Sequence, residues 1–149
     1  MKTLANLAIA LSLTFGASLA ALGQTTPVGL WKTIDDDGKT EKSHVRIADA
    51  GGGKLTGKIE KIIDPAKQDD KCTKCTDARK DQPFLGMTLF AGLAKDPDED
   101  DVWEGAKILD PDKGEEYRMR IKMIDGGKKL QLRGYLGPFY RTQEWIRIE

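Results

Sequence analysis

The sequence predicts an all-β protein, an eight-stranded antiparallel up-and-down barrel that follows an N-terminal signal peptide. Three observations carry this expectation. Apolar and polar residues alternate with a period of two over long runs, which lets one face of a strand be buried while the other stays wet. Short turns rich in Asp, Gly and Pro separate those runs. No long helical pattern follows the signal.

Residues 1–23 stand apart from the rest. Lys2 precedes a mostly apolar stretch, Leu4 to Leu22, that ends in small residues, the pattern of an export signal. The expected mature domain therefore spans 24–149 and lies in the periplasm or outside the cell. Val28 to Ile34 forms the first expected strand, closed by the turn Asp35-Asp36-Asp37-Gly38. Ser43, Val45 and Ile47 alternate with His44 and Arg46 in the second. Leu55, Gly57 and Ile59 alternate with Thr56, Lys58 and Glu60 in the third. Pro65 to Pro83 then holds almost no large apolar residue, so it reads as a surface loop with room for one helical turn.

Strands resume at Leu85. Leu85 to Ala94 is apolar on both faces, as in a strand covered on both sides or one lining an apolar cavity. Val102 to Leu109 is the fifth strand. Tyr117, Met119, Ile121 and Met123 alternate with basic residues in the sixth, and Asp125-Gly126-Gly127 supplies a turn tolerant of positive φ. Leu130 to Leu136 returns, Gly137-Pro138 breaks the run, and Tyr140 to Ile148 completes the set. An open sheet of eight would expose two edges. Closing it removes both and leaves an interior that side chains fill or that holds one small ligand.

Lysine plus arginine equal aspartate plus glutamate at 24 each, so no whole-chain field selects nucleic acid or an anionic membrane. No segment of the mature chain is a membrane span, and the protein partner is left undetermined.

Several stretches, in order, resemble the exported bacterial family called domain of unknown function 2147. They are Gly29-Leu30-Trp31, Leu55-Thr56-Gly57-Lys58-Ile59, Cys72-Thr73-Lys74-Cys75, Trp103-Glu104-Gly105, Asp110-Pro111-Asp112-Lys113-Gly114, Arg133-Gly134-Tyr135 and Thr142-Gln143-Glu144-Trp145-Ile146-Arg147. The resemblance implies a lipocalin-like barrel in the cell envelope and no established activity. Gly29-Leu30-Trp31 is also similar to the G-x-W that opens lipocalins. That likeness implies a barrel-closing pair in which Trp31 packs beneath Arg147 or Arg141, a cation over an aromatic face. No obvious helix is expected after the last strand of this sequence, a departure from the lipocalin pattern.

The candidate chemistry is sparse. Cys72 and Cys75 fit a structural disulfide worth about 2 kcal/mol. A redox-active pair is the minor alternative, without the strand-helix setting that lowers a thiol pKa. Zinc needs four ligands and His44 is the sole histidine, while Thr76 stands where covalent haem would need histidine. No catalytic residue, metal or cofactor is expected, and the protein is not expected to be an enzyme. His44 is placed on the wet face, with no acid at triad-like spacing. Met87, Leu89, Leu93, Trp103, Tyr117, Met119, Ile121, Met123, Leu132 and Tyr140 are the candidates to face the interior and bind a small apolar or amphipathic ligand. A filled barrel whose stapled loop contacts a partner is the alternative, and a void on the order of 300 Å³ or more would favour the ligand.

Overall fold

The computed structural model describes residues 26–149; the expected signal segment, 1–23, lies outside them. Eight strands follow one another: β1 Gly29–Ile34, β2 Glu41–Asp49, β3 Leu55–Ile62, β4 Thr88–Lys95, β5 Val102–Asp110, β6 Glu115–Ile124, β7 Lys129–Leu136 and β8 Phe139–Arg147. Each pairs antiparallel with the next, and β8 returns to β1 to close a barrel. The fourth strand starts three residues later than expected, and Leu85 is half exposed before it.

Alternation places the core. Val45 and Ile47 on β2, Met119, Ile121 and Met123 on β6, and Leu130 and Leu132 on β7 point inward and are buried. β4 departs from simple alternation. The register runs from Leu55–Leu93 to Gly57–Phe90 to Lys58–Thr88, so one extra residue is accommodated at each step. These bulges turn Leu89, Phe90 and Leu93 all into the core, while Ala91 and Gly92 face solvent. The apolar two-faced pattern thus belongs to a kinked strand with one buried face; of the two expected readings, cover on both sides is corrected, while Leu89 does line an apolar cavity. Gly57 is the space into which the Phe90 ring fits, since a Cβ there would collide with it.

One end of the barrel is plugged. Trp31 is fully buried and donates from its indole N–H to the Pro27 carbonyl at 2.8 Å. Arg147, its register partner on β8, lays its guanidinium 4.1 Å from the Trp31 ring centroid. Arg147 also donates to the carbonyls of Gly127 (2.7 Å), Val28 (2.9 Å), Thr26 (2.7 Å) and Glu149 (3.2 Å). The guanidinium thereby ties the β1 entry, the β6–β7 turn and the chain end together. Burial pushes its pKa downward, yet an arginine stays protonated at any ordinary pH.

The wall is less continuous at the other end. β4 and β5 pair only through Ala94–Glu104 and Lys95–Trp103, close to the plugged end. Towards the open end the segment between β3 and β4 fills the divergence.

Removing the plug should be costly. Trp31→Ala is expected to lose about 3–5 kcal/mol in urea unfolding, the range for a buried large aromatic. Arg147→Lys should lose about 2 kcal/mol, because an ammonium cannot reach four carbonyls while covering a ring.

Candidate functional site

The open end of the barrel contains a pocket of about 200 Å³. Its body is apolar: Ile59 and Ile62 from β3, Leu89 from β4, Ile108 and Leu109 from β5, and Leu132 from β7, with Phe84 from the loop before β4. Trp145 forms part of the wall. It is 2% exposed, and its indole N–H has no hydrogen-bond partner among the described residues. Thr33 and Ser43 add a hydroxyl pair 2.9 Å apart.

The rim is charged and internally paired. Asp36, in the β1–β2 turn, accepts from Arg141 at 2.7 Å and from the Gln143 amide at 2.9 Å. Asp112 faces Lys42 at 3.4 Å and Lys67 at 3.8 Å. Tyr117 donates to Glu115 at 2.6 Å. That hydrogen bond, with burial adding, pushes the Tyr117 phenol up to about 12, so it stays protonated at physiological pH. Among the described residues no three His, Cys, Asp or Glu side chains converge as a metal site would require.

The loop between β3 and β4 is docked on the barrel. Cys72 and Cys75 are joined by a disulfide and lie within the main core cluster, at 0% and 3% exposure. The Cys72 sulfur rests 3.4 Å from the Pro111 carbonyl. Gly114, in the β5–β6 turn, sits so close to the Lys74 backbone that any Cβ would clash. Cys72 donates its N–H to the Gln82 carbonyl and Phe84 its N–H to the Asp70 carbonyl, which folds the loop back on itself. Arg79 completes the clasp. It donates to the Thr88 carbonyl at 3.1 Å, pairs with Glu116, and holds Asp77 by its side chain. Thr88 belongs to the stretch of β4 that β5 does not reach, so a side chain there takes the place of a neighbouring strand.

The sequence-predicted interior residues divide three ways. Leu89, Tyr117 and Leu132 line the pocket. Met87, Leu93, Trp103, Met119, Ile121 and Met123 are buried in the packed core outside its lining. Tyr140 is 57% exposed and lies outside the barrel, a correction. Its neighbours Arg141, Gln143 and Trp145 take the inward positions on β8, and sequence reasoning did not assign them. His44 also differs from expectation. It is only 18% exposed at its side chain and contacts Glu41 at 2.6 Å. Residues three apart normally lie on opposite faces of a strand. The bulge at Lys42, where Thr33 pairs with Ser43 and Ile34 with Glu41, restores them to one face. The His44 hydrogen bond lowers the Glu41 pKa.

The family model described as "Uncharacterized protein conserved in bacteria (DUF2147)" matches residues 29–147. Protein HP1028 from Helicobacter pylori, whose solved structure is described as belonging to the lipocalin family, is similar in structure. Its TM-score is 0.70, at 18% identity and over 85% of each chain. At that identity the likeness is one of fold. No curated protein matches the chain in sequence.

The clasp has a pH signature. Arg79 holds the Asp77 carboxyl down to about 2 from its ordinary 3.8. A depressed carboxylate adds stability above its unfolded pKa and loses it as pH falls through the folded value. The contribution should therefore be full above about pH 4 and fade towards pH 2. In Arg79→Ala, carboxyl NMR should show Asp77 titrating higher than in the parent protein but still below its ordinary value, because the backbone N–H of residue 79 continues to donate to it. Urea unfolding of that variant should show a loss of about 2 kcal/mol.

Proposed function

The chain belongs to the bacterial family DUF2147, and from that premise we propose that it is an exported carrier of one small apolar or amphipathic molecule. The single observation that carries this reading is the apolar chamber at the open end, walled by Leu89, Leu132 and Trp145 and bounded by charged side chains. An apolar cavity of about 150 Å³ suffices for benzene, so about 200 Å³ suits one ring with a short substituent. It suits equally the end of an acyl chain whose polar head stays at the rim. The chamber is smaller than the roughly 300 Å³ common for drug-sized ligands, which sets the ligand's size rather than removing the site. A buried indole N–H without a partner in the wall supports the same reading, since such groups are rare where packing alone is at stake.

Export is supported by the charged, apolar and small-residue pattern of residues 1–23 and by a disulfide, which persists in oxidising compartments. The buried sulfurs favour a structural bridge over thiol exchange, which needs access to a sulfur. The docked loop is also a weaker candidate for partner contact than a free one would be, because its disulfide faces the barrel.

Two measurements test this reading. Titration with ethylbenzene, 1-hexanol and octanoate should give saturable binding of at least one, read by Trp145 fluorescence. Leu132→Trp should abolish it by filling the chamber. Absence of saturable binding to all three in the folded protein overturns the carrier reading. For export, N-terminal sequencing of protein recovered from cells should begin near Gln24 and come from the envelope or medium; an intact Met1 in the cytoplasm overturns it.

A further inference from the structure

The tip of the β7–β8 hairpin, at the open end, is the most exposed apolar part of the described surface. Phe139 is 78% exposed, Leu136 57% and Tyr140 57%, around the exposed turn Gly137-Pro138. Below the tip, on the outer face, lies a stacked cationic cluster. Tyr135 and Tyr140 have ring centroids 5.7 Å apart. Arg118 covers Tyr135 at 5.4 Å, and Arg133 covers Tyr140 at 5.0 Å.

Two features show that this cluster is short of negative charge. The register sets Arg120 directly opposite Arg133, a like-charge pair that is unfavourable across strands. Arg120 is compensated by Glu99 and Glu104. Among the described residues neither Arg118 nor Arg133 forms an ion pair, and Nε of Arg133 is without a partner.

The groups are graded along the strand axis. Leu136 and Phe139 pair at the tip, Tyr135 and Tyr140 in the next row with Arg118, and Arg133 stands two rows below them. At roughly 3.3 Å per residue the whole gradient covers about 10 Å. That order, an apolar tip and then tyrosines covered by guanidinium groups, matches a bilayer leaflet from acyl boundary to the interface where phosphates lie. The span matches the roughly 5–10 Å to which interfacial elements sink. An acidic protein would satisfy the arginines but would have no use for an exposed phenylalanine in front of them.

We propose that the β7–β8 tip docks the protein onto an anionic lipid surface, with Phe139 and Leu136 in the acyl boundary and Arg118 and Arg133 on lipid phosphates. The chain is neutral as a whole, so this attraction is a property of one patch rather than of net charge. Inner-face residues of the same two strands, Leu132, Arg141 and Trp145, line the pocket, so docking brings the open end of the barrel to the membrane. The inference goes beyond ligand binding and holds whether or not the chamber is occupied.

Sedimentation of the purified protein with vesicles tests it, comparing pure phosphatidylcholine with a mixture containing phosphatidylglycerol. Binding to the anionic vesicles alone, weakened by salt, is expected. Phe139→Ser with Leu136→Ser should weaken it about tenfold or more. Arg118→Gln with Arg133→Gln should weaken it about thirtyfold. Leu136, Phe139 and Arg118 are exposed and Arg133 is half-buried, and an unchanged melting temperature confirms that each variant is folded. No binding to anionic vesicles overturns the proposal, as does binding that either pair of substitutions leaves unchanged. Self-association that Phe139→Ser abolishes, without vesicle binding, assigns the tip to a second copy instead. Binding of poly-glutamate but not vesicles assigns it to an acidic partner.

Discussion

The barrel depends on a guanidinium stacked over an indole. Eight strands can be satisfied in their hydrogen bonds one neighbour at a time, but the last must meet the first in a single register or every side chain on it faces the wrong way. Arg147 settles that choice. Its fork takes four carbonyls from three separate segments while its plane covers Trp31. With Arg147 inward, alternation sends Trp145, Gln143 and Arg141 inward as well, and those three form one side of the pocket. A contact that seals one end thus decides which chemistry stands at the other.

The two ends of the interior are built differently. Towards the plug, Val45, Ile47, Leu93, Ile121 and Leu130 are each essentially inaccessible, and no room is left. Towards the mouth the polar side chains Thr33, Ser43 and Gln143 replace aliphatic ones, and their hydrogen bonds run to one another and to Asp36. Polar groups of that kind fix where an apolar guest can lie without holding it, and the packed floor beneath limits its length. The filled and hollow barrels considered from sequence are therefore both present, one above the other.

Much of this was legible in the residues. The number of strands, their order and the barrel itself followed from period-two runs and turn chemistry, and the Gly29-Leu30-Trp31 resemblance pointed to the stacked pair. Tyr140 could have been placed outside by counting back from Arg147, because odd-numbered residues of β8 share its face. Other features left no local mark. The bulges that turn Leu89, Phe90 and Leu93 to one side depend on cross-strand register, which a single strand's pattern does not encode. The same is true of the Lys42 bulge that brings Glu41 to His44. The Pro65 to Pro83 stretch is polar enough to read as free loop, and nothing within it reveals that both cysteines would be buried, Cys72 against Pro111.

The partial pairing of β4 with β5 gives the barrel a direction of weakness. The β8–β1 seam also lacks main-chain pairing towards the mouth, beyond Thr33–Trp145, but there Asp36 ties Arg141 and Gln143 across it. Between β4 and β5, separation means releasing one arginine and lifting a stapled flap. Breathing should therefore begin as a lateral slit rather than a widening of the rim. A guest longer than the chamber would then find its extra length along that slit, beside the flap.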